Sequence, residues 1–298
     1  MSLTFPFFIS LFILISFFDS SLLADLKSYI PFLLGLVMFG MGMTIETSDF
    51  KQILKNPKWI LFGVFLQYTI MPFLAFSLCK LFNLNDQLTI GFIILGSCPG
   101  GTASNVIAYL SNAHIPLSVS LTLISTLLSV FLTPLLIFFL AQENIEINLL
   151  GLFKSTFWIV IFPLIDGIIL RKILRKKIKK ILIFLPKFSE LSISIIIGIV
   201  FSLTIDIFNQ ITLGFLCVLI LHNLFGFSLG YFFSGILNFP KNVRKSIAIE
   251  VGMQNSGLGL TLSLLYFDKL VSLPSAIFSL WHNISAIFLF ASKNNKKH

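Results

Sequence analysis

Two short stretches put oxygen-bearing side chains where the surrounding sequence is apolar. The first, 99-PGGTASN-105, sets Pro99, Gly100 and Gly101 directly before Thr102, Ser104 and Asn105. The second, 250-EVGMQNSGLG-259, opens on an acid and continues through Gln254 and Asn255. Proline removes a backbone donor and clashes with the preceding turn, so a helix breaks or kinks at Pro99. Gly100 and Gly101 let the chain open there without steric cost. Lipid cannot satisfy the carbonyls and amides such a break frees, which must face protein, water or a ligand. Carbonyls with the oxygens of Ser104 and Asn105 suit a hard cation, and a freed helix N-terminus suits an anion. A kink that lets helices pack closely is the alternative for one such motif. Two of them, one carrying a carboxylate, point to a binding site.

Glu250 is the most informative single residue. An acid inside a membrane segment costs a few kcal/mol without a partner. No lysine or arginine lies deep in an apolar run to neutralise it, and Arg244 and Lys245 are more than one helical turn back. A bound cation or a proton is the natural counter-charge. Oxygen donors without His or Cys argue against a transition metal. Asp166, five residues before Arg171, is expected to form a local ion pair, and Asp206 is expected at a membrane surface. His282 and Asn283, in 279-SLWHNIS-285, read equally as packing residues or as groups facing a ligand.

The elements that must position these residues follow from composition. Of 298 residues, 56% are hydrophobic and only 11% charged, against about 25% charged in a soluble domain; mean hydropathy is +0.98. Apolar runs occur at roughly 4–23, 30–47, 58–80, 87–110, 116–141, 150–170, 182–205, 210–237, 245–267 and 272–291. A spanning helix needs about 20 apolar residues, so ten transmembrane helices are expected. With the N-terminus cytoplasmic, the inside segments hold all Lys and Arg except Lys27, Lys80, Lys154 and Lys269. That asymmetry supports ten crossings with both termini inside. The net charge of +9 therefore reports topology, and a nucleic-acid partner is not expected. The basic run 171-RKILRKKIKK-180 reads as a cytoplasmic linker touching anionic lipid headgroups. Cys79, Cys98 and Cys217 show neither metal spacing nor a disulfide framework. The run Phe5 to Phe18 lacks a basic n-region and reads as a short first span.

Ten spans divide near the linker into two sets of five, 1–148 and 149–298. Five is odd, so a shared fold requires the second set to be inverted, a common plan for secondary transporters whose sites lie at the repeat interface. The two interruptions occupy corresponding positions, the fourth and ninth spans. No H-E-x-x-H, paired catalytic aspartates or phosphate-binding loop suggests an enzyme, and no repeated carbonyl filter suggests a channel.

At these residues the chain resembles the bile acid:sodium symporter family, and its bacterial members in particular. The matching pieces are 39-FGMGMTIETSDF-50, 67-QYTIMP-72, 97-SCPGGTASNV-106, 250-EVGMQNSGLG-259 and 281-WHN-283. The resemblance implies an all-α integral membrane protein of ten helices in a five-plus-five inverted repeat. Spans 1, 2, 6 and 7 would form a panel domain, and spans 3–5 and 8–10 a core domain in which broken helices 4 and 9 cross. It implies two sodium sites. One would use Ser104, Asn105, Ser118, Thr122 and Glu250, the other Gln67, Glu250, Gln254 and the backbone at Val251 and Met253. Substrate would lie near Thr102, Asn255 and His282. Ser118 and Thr122 are one helical turn apart, so both hydroxyls can face one point. The implied function is sodium-coupled import of an organic anion, such as pantothenate, a keto acid or a bile-acid-like carboxylate. Proton coupling through Glu250 is the alternative. A monomer in a bacterial inner membrane is expected.

Overall fold

A computed structural model describes residues 4–46, 55–141, 147–174 and 178–290. Lys51, Arg175, Lys176, Lys177, Lys293, Lys296 and Lys297 lie outside the described residues, as does the end of the 39–50 motif. The described residues are helical with no strand. In chain order the helices are α1 (Thr4–Phe18), α2 (Ser20–Ala24), α3 (Ile30–Thr44), α4 (Pro57–Leu81), α5 (Asp86–Gly96), α6 (Ala103–Leu110), α7 (Ile115–Ala141) and α8 (Leu149–Thr156). They continue with α9 (Phe162–Leu174), α10 (Ile178–Leu182), α11 (Leu185–Thr204), α12 (Leu213–Ile236), α13 (Lys241–Gly252), α14 (Ser256–Tyr266) and α15 (Lys269–Phe290).

Every expected apolar run contains helix. Six helical segments are long and apolar enough to cross a membrane unaided: Ser20–Thr44, Pro57–Leu81, Ile115–Ala141, Lys187–Gln210, Leu213–Ile236 and Lys269–Phe290. The others are shorter or divided. The fourth run is split into α5 and α6, and the ninth into α13 and α14. In the sixth, a π-helical turn at Phe157–Ile161 separates α8 from α9.

Local chemistry sets the ends. Asn85, Asn148, Thr212 and Asn255 accept through their side chains from the backbone amides of Leu88, Gly151, Phe215 and Leu258, capping α5, α8, α12 and α14. Asn83 (φ 50°) after α4 and Asn238 (φ 55°) after α12 adopt the left-handed conformation that stops a helix. The spacing between these two asparagines is repeated elsewhere in the chain. Five pairs of helix starts are separated by nearly the same interval: Ile30 with Leu185, Pro57 with Leu213, Asp86 with Lys241, Ala103 with Ser256, and Ile115 with Lys269.

Packing sorts the helices into two groups. α3 packs on α9 and α11, and α11 on α1. Gly42 and Gly167 let α3 and α9 touch backbone to backbone: a Cβ on Gly167 would come within 2.9 Å of Met43 N. The second group joins α4 to α5, α7 and α12, α12 to α13, and α15 to α5 and α14. Arg171 does not pair with Asp166 as expected. Its guanidinium reaches across to Glu46 (2.6 Å) and donates to the Met43 carbonyl (2.5 Å), tying α9 to the end of α3. Asp206 pairs with Lys269 at an exposed position.

Candidate ion and substrate site

The two interruptions meet. Gly100 and Gln254 form an antiparallel bridge; Gly101 N donates to Met253 O (2.8 Å) and Asn255 N to Pro99 O (2.8 Å). Part of what the breaks free is thus satisfied by the opposite break. Two more carbonyls take side-chain amides, Cys98 O from Gln67 Nε2 (3.0 Å) and Gly252 O from Asn223 Nδ2 (2.8 Å).

Glu250 sits in the last turn of α13, 1% exposed. Its Oε2 accepts from Ser104 Oγ (2.7 Å), in the first turn of α6, and lies 3.0 Å from Thr122 Oγ1 on α7. Thr122 Oγ1 is also 3.0 Å from the Ser118 carbonyl. Glu250 Oε1, Ser118 Oγ and Asn105 Oδ1 are buried atoms without a hydrogen-bond partner. Neither ion pair among the described residues involves Glu250. Gly100 is required here, because a Cβ on it would collide with the Glu250 carboxylate. An ionised carboxylate accepts only, and the oxygens around it are few in protons. This donor set suits a small hard cation. No group of three or more His, Cys, Asp or Glu that could hold a transition metal exists among the described residues.

The second expected set is also assembled. Gln67 Nε2 donates to Gln254 Oε1 (2.7 Å), and Gln254 Nε2 donates to Val251 O (3.0 Å). Met253 O carries the amide of Gly101. Gln67 Oε1 is buried without a partner. Hydrogen bonds join Glu250 to the first set and not to this one.

A cavity of about 360 Å³ lies between α3 and α11 on one side and the crossing with α15 on the other. Thr102, Asn255 and His282 all line it, as do the first residues of α6 and α14. Both half-helices therefore present the amide-rich ends favoured by an anion. Its other walls are mainly apolar, from residues such as Val37, Met38 and Ile193, and Glu190 is its one charged lining residue among those described. His282 Nδ1 and Asn283 Oδ1 are buried without partners.

Several contributors escaped the sequence reading. Ser125 Oγ lies 3.4 Å from Gly100 N, and Thr133 Oγ1 donates to Ser97 O (2.7 Å). Asn223 bonds the second break and receives Ser285 Oγ (2.5 Å). Asn223 stands in 221-LHN-223 within an apolar run, the same signal that marked His282; the serines carried none, since serine is common in these helices.

The fold and site define a helical membrane protein with an oxygen-lined pocket at the crossing of two discontinuous helices. The Sodium Bile acid symporter family matches residues 31–211, and the chain belongs to that family. An uncharacterized sodium-dependent transporter of Bacillus subtilis, YocS, is 42% identical over 296 residues, covering 99% of this chain and 92% of its own length. A probable sodium/metabolite cotransporter of Arabidopsis thaliana chloroplasts, BASS1, is 37% identical over 84% of this chain, and its rice counterpart 34% over 83%. The chain spans 63% and 61% of those two plant proteins.

Proposed function

We propose that this protein is a symporter that uses sodium to import a small organic anion by alternating access. The observation that carries the reading is Glu250: a buried carboxylate with one unpartnered oxygen, among Ser104, Asn105, Ser118 and Thr122, at the crossing of two breaks. Its family membership makes sodium the leading counter-ion. Two ions would bind, one at that cluster and one at Gln67, Gln254 and the carbonyls of Val251 and Met253. Two positive charges against Glu250 leave net positive charge on the crossing side of the cavity, across from Glu190 on α11. With the N-termini of α6 and α14, that charge attracts a carboxylate to Thr102, Asn255 and His282. Sodium then favours substrate because each binds better when the other is present. An inward-negative potential adds about 2.3 kcal/mol per 100 mV for each entering charge.

The chain crosses the membrane ten times, with both termini cytoplasmic, in a bacterial inner membrane, and works as a monomer. Its halves, 1–148 and 149–298, are inverted repeats. The regular recurrence of helix starts supports this, as does the matching position of the two breaks. The α1, α3, α9 and α11 group acts as the panel and the remainder as the moving core. Pantothenate, a keto acid or a related carboxylate is the proposed cargo.

Uptake into proteoliposomes tests the reading. An inward sodium gradient drives accumulation of a labelled carboxylate from this set, and Glu250→Ala abolishes it. Uptake that ignores sodium and follows a pH gradient replaces this reading with proton symport through the same carboxylate.

A further inference from the structure

Each break leaves a carbonyl at or just past the end of its first half-helix without the amide that would follow in a continuous helix. Gln67, on α4, caps Cys98 O at the first break; Asn223, on α12, caps Gly252 O at the second. Gln67 and Asn223 hold the same place on their helices, since each is equally far along the chain from the helix start, Pro57 in α4 and Leu213 in α12. The same device thus serves both breaks. Its second copy is reached because α12 and α13 nearly touch: a Cβ on Gly226 would lie 2.9 Å from Gly252 Cα.

The two amides differ in what their oxygens do. Gln67 Oε1 has no partner. Asn223 Oδ1 accepts from Ser285 Oγ (2.5 Å), and Ser285 Oγ also lies 3.2 Å from the carbonyl of His282, which lines the cavity. Both Asn223 and Ser285 are buried. The Ser285 hydroxyl has one proton and the shorter contact is to Asn223, so the hydrogen bonds run from Ser285 on α15, three residues after the cavity-lining His282, through Asn223 to Gly252. That residue stands between Val251 and Met253. The Gly252 peptide plane shares a Cα with the plane on either side, so holding it steadies the base from which both neighbouring carbonyls project.

We propose that Asn223 is a positioning residue for the cation site, and that the Asn223–Ser285 pair ties that site to α15, the helix that carries His282. Asn223 touches neither ion nor substrate. It steadies the base of the carbonyls beside the one it holds. The inference rests on the sodium reading given above.

The probe is sodium alone, titrated against the melting temperature of the detergent-solubilised full-length protein, with ionic strength held by choline chloride. Asn223→Ala raises the half-saturating sodium concentration about tenfold and Ser285→Ala about threefold, from the loss of a buried hydrogen bond. The double variant is no worse than Asn223→Ala, because Ser285 acts through Asn223. Asn223→Gln keeps an amide and recovers part of the loss. A residue serving stability alone would lower the melting temperature in choline and leave the sodium dependence where it was. Half-saturation of Asn223→Ala within twofold of wild type overturns the proposal. If that variant does not fold, an unchanged sodium dependence in Ser285→Ala overturns it instead. Absence of sodium stabilisation in the wild type sinks the sodium reading, and this inference with it.

Discussion

At the scale of residues, the site consists of oxygens with too few protons. Ser118 Oγ is buried without a partner, so it costs stability unless a ligand uses it. Ser118→Ala is therefore expected to leave the sodium-free melting temperature equal or slightly higher, while the sodium needed for half-maximal stabilisation rises several-fold. A fall in both would assign Ser118 to packing. Gly100 gives a second test. Gly100→Ala drives a methyl into the Glu250 carboxylate and is expected to abolish sodium stabilisation. Gly214→Ala, whose added methyl would meet only ordinary contacts from 3.6 Å, changes unfolding free energy by less than about 0.5 kcal/mol. Glu250, Ser104 and Asn105 were legible because polar groups stand out in apolar runs, whereas Ser118 and Thr122 came only with the family resemblance. Which carbonyls answer which amides was not legible, since that pairing depends on helices far apart in the chain.

At the scale of elements, the breaks were readable from Pro99 and the glycines, and from the polar run after Glu250. That they hydrogen-bond to each other as a short antiparallel pair was not, because nothing local encodes register between distant loops. Nor was the π-helical turn at Phe157–Ile161 singled out, although Pro163 just beyond it cannot donate to the Ile159 carbonyl. The turns before α5 and α13 are matched: each begins with a left-handed asparagine, Asn83 and Asn238. A left-handed conformation costs a residue with an ordinary side chain roughly 1–2 kcal/mol. Asn83→Ala and Asn238→Ala should each lower unfolding free energy by about 1 kcal/mol, while glycine at either position should not. Chemical denaturation in detergent micelles reads the difference, and equal loss with alanine and glycine would show that the asparagine side chains matter for another reason.

At the scale of the whole molecule, the distribution of lysine and arginine gave an expected orientation before any fold was known. The nearly constant interval between paired helix starts was hidden, because what recurs is the position of the breaks and of the left-handed Asn83 and Asn238 rather than visible identity. Orientation can be read directly in cells carrying single cysteines on a cysteine-free background. Residues replacing Lys27 and Lys269 should react with a membrane-impermeant maleimide added outside. Those replacing Lys58 and Lys241 should react only after permeabilisation. The reverse pattern would invert the topology.

The antiparallel pairing of Pro99–Gly101 with Met253–Asn255 also constrains how the protein is made. Until the ribosome has delivered the ninth apolar run, Pro99 O and Gly101 N have no backbone partner within the bilayer. The amino-terminal half must therefore wait, incompletely satisfied, for its counterpart to arrive. Chains severed after Leu174 and produced from two messages should each be degraded alone and should rescue one another when synthesised together.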